Sequence, residues 1–160
     1  MFEELSQHIL DIAMNSISAN ATKVRISIRE SRRRDRLELR VQDDGCGMDA
    51  ARLKRVLTQR WSSKNKRRKS IGLGLAFLRQ ASEMCDGCFQ VRSVPGRGTS
   101  VTASMRLSHI DRPPLGDLNA TILALCAADK KIDVQLNYRS DGEKFFFDSR
   151  ELATKGKVHL

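Results

Sequence analysis

The apolar period of this chain switches from helical to alternating within a few residues, which limits it to folds that lay helices on a sheet. Phe2, Leu5, Ile9, Ile12, Ala13 and Ile17 fall along one side of a helix running from Glu3 to Ala19. Asn20-Ala21-Thr22 ends it. Val24, Ile26 and Ile28 then alternate with Lys23, Arg25 and Ser27, the pattern of a half-buried strand. After the polar stretch Ser31-Arg32-Arg33-Arg34-Asp35, the residues Leu37, Leu39 and Val41 alternate again. Two such strands around a short polar turn predict a β-hairpin.

The rest of the chain continues in the same alphabet. Asp49 is placed to cap a short helix carrying Leu53, Val56 and Leu57. Arg60 to Ser70 holds six basic residues and no acid, which predicts an exposed loop. Ile71-Gly72-Leu73-Gly74 opens a helix to about Met84, with Leu75, Leu78 and Ala81 inward. A strand from Cys88 to Val94, a turn at Pro95-Gly96-Arg97-Gly98 and a strand from Thr99 to Leu107 follow. Arg112-Pro113-Pro114 reads as a linker. Beyond it come a helix (Leu118 to Ala128) and strands at Ile132–Tyr138 and Lys144–Phe147, with a turn at Ser140-Asp141-Gly142. This order predicts an α+β fold: a two-layer α/β sandwich, a mixed sheet with helices on one face. Residues 1–112 are expected to form the main domain. Residues 115–160 are expected to be a helix and β-hairpin extension, free to complete the sheet or to pack on its edge.

Charge narrows the partners. Residues 1–114 carry 22 basic and 12 acidic side chains, whereas 115–160 carry 7 of each, so the whole net charge of +10 sits in the first part. That favours an anionic ligand or partner. No stretch approaches the length of a membrane span. The start, Met1-Phe2-Glu3-Glu4, lacks the features of a secretory signal, so a cytoplasmic location and reduced Cys46, Cys85, Cys88 and Cys126 are expected. One Cys85-Asp86-Gly87-Cys88 pair supplies half the ligands of a structural zinc, so ordinary buried thiols are the preferred reading.

Four constellations carry chemistry. Glu4, His8, Asp11 and Asn15 form one polar stripe on the first helix, which is either wet surface or a site. As a site, Asn15 offers an oxygen to a hard cation and Asp11 a carboxylate able to polarise water. Asp43-x-Gly45-x-Gly47 is either a plain turn or a place where a flat ligand approaches backbone lacking Cβ atoms. There Asp43 would accept from an amino group. Gly72-x-Gly74 before a helix points N–H groups at a site for an anion, beside a cationic loop. Gly96-Arg97-Gly98-Thr99 is by itself a hairpin turn.

In order and spacing, these four boxes resemble the GHKL (Bergerat) ATP-binding fold of gyrase-type topoisomerases, sensor histidine kinases and MutL-type ATPases, over about residues 3–107. Asn15 to Thr22 is similar to the MutL version, and Gly72-Leu73-Gly74-Leu75 and Ser93 to Thr99 to sensor-kinase domains. The resemblance implies ATP and Mg²⁺ as cofactors. It implies Asn15 on the metal and Asp43 on the adenine amino group. Gly45, Gly47, Met48, Lys64, Gly72, Leu73, Gly74, Leu75 and Thr99 would complete the nucleotide site, with residues 60–70, including Trp61, as the lid. Asp11 falls where hydrolysing members carry a glutamate; it is one methylene shorter, which implies slow hydrolysis or help from a partner. His8 is expected to be a supporting or surface residue rather than a phospho-acceptor.

The expected function is therefore a Mg-ATP-binding regulatory protein acting on a partner protein. It would act as a kinase in trans (a transferase), with Asp11 activating the acceptor, or as a nucleotide-dependent switch. A slow ATPase with no phospho-acceptor and a basic nucleic-acid-binding module with a vestigial site are the alternatives. A homodimer is left open.

Overall fold

The computed structural model describes residues 4–58, 73–129 and 131–151. The elements run α1 (Leu5–Ser18), β1 (Lys23–Ser31), β2 (Arg36–Asp43), α2 (Ala50–Thr58), α3 (Leu73–Met84), β3 (Phe89–Val94), β4 (Gly98–Arg106), α4 (Leu118–Ala128), β5 (Asp133–Arg139) and β6 (Lys144–Asp148). The expected lid, with Lys64, Trp61 and Gly72, lies outside the described residues.

The α+β sandwich foreseen from the pattern is present. Six strands form one mixed sheet in the order β3-β4-β2-β1-β5-β6. β1 and β2 pair antiparallel from Val24↔Asp43 to Ser31↔Arg36, which sets Val24, Ile26 and Ile28 on the same face as Leu37, Leu39 and Val41. All six are at most 2% exposed. Leu5, Ile9, Ile12 and Ala13 of α1 and Leu78 of α3 join them in one core, to which α4 adds Ile122 and Leu125. Alternating strands and a 3.6-residue helical stripe thus meet at a single dry layer.

The last third of the chain is part of that layer. β5 pairs with β1 in parallel, from Lys23↔Asp133 to Arg29↔Arg139, and places Val134 and Leu136 beside Val24 and Ile26. β6 follows antiparallel to β5 as the edge. So the hairpin continues the sheet. The Arg112-Pro113-Pro114 segment is docked as well: the Leu5 and Ser6 amides, unpaired within the first turn of α1, donate to the carbonyls of Pro114 and Leu115 at 2.9 and 2.8 Å. Among the described residues, no helix is long and apolar enough to cross a membrane.

One sequence expectation is narrowed and another corrected. Of the two places open to His8, supporting or surface, the surface one is excluded, since it is 2% exposed. Of the thiols expected to be buried, Cys85 is, but Cys88 is exposed. No group of three or more His, Cys, Asp or Glu among the described residues is arranged to hold a metal.

Candidate functional site

α1 and the ends of β2 and β4 enclose a cleft of about 260 Å³. Its apolar walls include Ile12, Val41, Val56, Leu75 and Val101, and its polar groups include Asn15, Ser16, Asp43 and Thr99. Apolar walls with a few polar groups suit a flat, partly polar ligand.

Asp43 is the last residue of β2, where the strand must turn. Its carboxylate is fixed from three sides. Ser16 Oγ donates to Oδ2 at 2.6 Å; the Gly45 and Thr99 amides donate to Oδ1 at 2.9 and 3.3 Å. A carboxylate has about four acceptor sites, so Oδ2 keeps capacity for one more donor. That fits an exocyclic amino group on a purine seated in the cleft.

The loop behind Asp43 is held by backbone approach. Gly47 has φ +68°, and a Cβ there would lie 2.0 Å from the Val94 carbonyl oxygen. Cys46 accepts from the Gly96 amide at 2.7 Å, and the Met48 amide donates to Ser93 Oγ at 2.8 Å. Ser93 Oγ in turn lies 2.7 Å from Thr99 Oγ1. A Cβ on Gly98 would lie 2.0 Å from the Asp43 carbonyl oxygen. The β3–β4 turn therefore clamps the Gly45–Met48 loop, which explains why glycines recur in both. Asp44 faces the other way, accepting from the Thr22 amide and hydroxyl and from the Lys23 amide, and ties the end of β2 to the start of β1.

Asp11 sits one helical turn before Asn15, where α3 begins. A Cβ on Gly74 would stand 2.1 Å from Asp11 Oδ2, so α3 starts almost on that carboxylate. His8, a further turn back, hydrogen-bonds with the Gly74 backbone, and burial lowers its pKa to about 4. It is a neutral imidazole at neutral pH.

Asn15, Asp43, Gly47, Met48, Leu75 and Thr99 thus meet around one cleft. Gly45 backs Asp43 and faces Ala19. Asp11 and Gly74 abut each other beside the cleft, and Leu73 is the first residue of α3. Lys64 and Gly72 fall outside the described residues. Sequence reasoning missed Ser16 and Ser93. Ser16 had a signal: it extends the apolar stripe Leu5, Ile9, Ile12, and a hydroxyl on such a stripe, here 3% exposed, needs a buried partner. Ser93, on an alternating strand, gave none.

Known proteins resemble this chain in sequence and in fold. The chain is 30% identical over 118 residues to the Non-motile and phage-resistance protein of Caulobacter vibrioides, covering 69% of this chain and 14% of that protein. It is 28% identical over 114 residues to the sensor histidine kinase ZraS of Escherichia coli, covering 71% of this chain and 24% of the kinase. It therefore spans only a small part of these relatives. Among solved structures, the MutL ATPase domain of Aquifex aeolicus complexed with ADP aligns over 90% of this chain and 62% of its own, with TM-score 0.56 and 17% identity. The N-terminal domain of a DNA repair protein aligns over 91% and 52%, with TM-score 0.60 and 14% identity. At that identity the likeness shows the fold. Residues 2–109 match the model of the histidine kinase-, DNA gyrase B- and HSP90-like ATPases, and the chain belongs to that family.

Proposed function

We propose that this chain is a Mg-ATP-binding regulatory module that acts on a partner protein, transferring phosphate in trans. The observation that carries the nucleotide reading is Asp43: a carboxylate immobilised by Ser16, Gly45 and Thr99, with one acceptor site left toward an apolar-walled cleft. Ile12, Val41, Val101 and Met48 would exclude water around the base, and Thr99 would stand at its polar edge. Asn15 would hold Mg²⁺ through its amide oxygen, and the start of α3 would face the phosphates. Bound Mg²⁺ offsets phosphate charge and orients the terminal group. The likeness to the sensor histidine kinase ZraS supports transfer to a protein acceptor, with Asp11 receiving the acceptor's proton.

A second reading, a slow switch with no phospho-acceptor, is favoured by the crowding of the short Asp11 carboxylate against Gly74. A general base must reach its proton, and a misplacement of about 1 Å can cost ~10²-fold in rate. Calorimetry with ADP, ATP and GTP, with and without Mg²⁺, tests the nucleotide site: adenine nucleotides bind and GTP does not. Absence of heat with ADP and ATP removes the reading. Labelled ATP incubated with candidate partners then separates the two forms. Label on a partner supports the kinase, and free phosphate alone supports the switch.

A further inference from the structure

The face of the sheet turned away from α1 and α3 carries a second concavity. Ser27 lies at its floor. The register sets Arg40 of β2 and Asn137 of β5 directly beside Ser27, and Arg139 beside Arg29. A small serine among long guanidinium side chains leaves a groove of about 370 Å³, lined by Ser27, Arg29, Glu38, Arg40, Asn137 and Arg139. Three arginines surround one acid there, and among the described residues none of the three is in an ion pair. Arg29, Arg40 and Arg139 are all exposed.

Converging, unpaired positive charge is self-repelling and is relieved by an anion. The side chains are arginines, whose planar forks match phosphate oxygens two at a time. Two further features distinguish a chain-like anion from a single ion. The β1–β2 turn carries Arg32, Arg33 and Arg34 at the end of the same strands, so the positive track runs on past the groove. At its other border Phe146, opposite Asn137 on this same face, is 56% exposed. An aromatic ring beside a cationic groove is the arrangement on which unpaired bases stack.

We propose that this open sheet face binds single-stranded nucleic acid, with Arg29, Arg40 and Arg139 gripping backbone phosphates over Ser27 and Phe146 receiving a base. The surface is separate from the nucleotide cleft, and the proposal stands whether or not ATP binds there. An acidic polypeptide is the competing occupant. It satisfies the charge but gives no use to the exposed ring.

The test is fluorescence anisotropy of a labelled twenty-residue oligo-dT or oligo-U titrated with the full chain between 50 and 300 mM salt. Binding is expected at ~10⁻⁴ to 10⁻⁶ M, with affinity falling steeply as salt rises. Arg40→Glu/Arg139→Glu should weaken binding at least tenfold at low salt. It should also flatten the log–log salt slope by about 1.4, at ~0.7 per lost phosphate contact. Arg79→Glu/Lys131→Glu, with the same change in net charge elsewhere on the molecule, should shift affinity less than threefold. Phe146→Ala should weaken binding severalfold with the slope unchanged. Circular dichroism checks that each variant is folded; Arg29→Gln replaces the double reversal if that variant is not. The proposal is overturned by no binding at 50 mM salt, by equal losses from the two double variants, or by poly-glutamate of equal length displacing the oligonucleotide at equal concentration.

Discussion

Asp43 concentrates the chemistry of the candidate site in one side chain. If the cleft takes adenine, Asp43→Asn keeps the shape but replaces an acceptor by a donor at one oxygen position. A lost charge-assisted hydrogen bond of about 1.5–3 kcal/mol should weaken ADP binding ~10- to 150-fold by calorimetry, with the fold intact by circular dichroism. Ser16 acts through Asp43, so Ser16→Ala should weaken ADP several-fold and Ser16→Thr should restore part of it. His8 gives a pH prediction of definite sign. Its folded pKa of about 4 lies below its ordinary 6.5, so the unfolded chain binds the proton more readily. Its contribution is complete above pH 6.5 and fades as pH falls toward 4, at up to ~1.4 kcal/mol per unit. Urea midpoints for His8→Gln should therefore depend less on pH than those of the parent in that window. Asp148, held well below the usual carboxylate range by its hydrogen bonds with Arg150, adds its own loss only below 3.8, so the two effects separate. At this scale the gathering of Asn15, Asp43, Gly45 and Gly47 at one cleft was legible because their spacing is readable in sequence. Whether His8 was supporting or on the surface stayed open, because helical position alone does not say which neighbour covers a stripe.

Between elements, the decisive contact is the β3–β4 turn seated on the Gly45–Met48 loop. Gly47→Ala puts a methyl into the Val94 carbonyl and holds an L-residue at positive φ. Left-handed backbone alone costs about 1–2 kcal/mol, and the clash adds to it. Urea unfolding should show a loss of at least ~2 kcal/mol, and ADP affinity should fall with it. Gly96→Ala is the control: nothing lies within 4 Å of its Cβ, although its φ of +77° carries the backbone cost. The strands were legible because alternation is local. Asp49 was legible as a helix cap, and its Oδ1 accepts from the Arg52 amide at 2.7 Å. The approach of α3 onto Asp11 was not legible, because Gly74 advertises freedom of approach without naming what approaches.

For the molecule as a whole, the sheet joins early and late segments of the chain, β1 pairing with β5. Residues 115–160 supply Ile122, Leu125, Val134 and Leu136 to the same core as α1 and β1. We propose that the division at 112–115 is one of sequence rather than of folding. A single cooperative transition is expected in urea, by circular dichroism and by fluorescence of Tyr138 in β5 alike, and a chain ending at residue 112 should aggregate or remain unfolded. ADP at about 100 times its dissociation constant should add ~2.7 kcal/mol, a rise in Tm of about 5–10 °C. The sandwich class was legible from the order of periods. The neighbour of β1 on its β5 side was not, since a parallel partner more than a hundred residues away leaves no trace in local pattern.

That distant partner also sets an order of events during synthesis. Every described residue lining the cleft has been made by Val101, yet β1, the strand next to β2 in the sheet, gains its second neighbour only when Asp133–Arg139 leaves the ribosome. The newborn polypeptide thus carries the described cleft-lining residues on an unfinished scaffold. If the cleft binds a ligand, competence to do so should appear late and all at once, after Asp133–Arg139 has emerged and paired with β1.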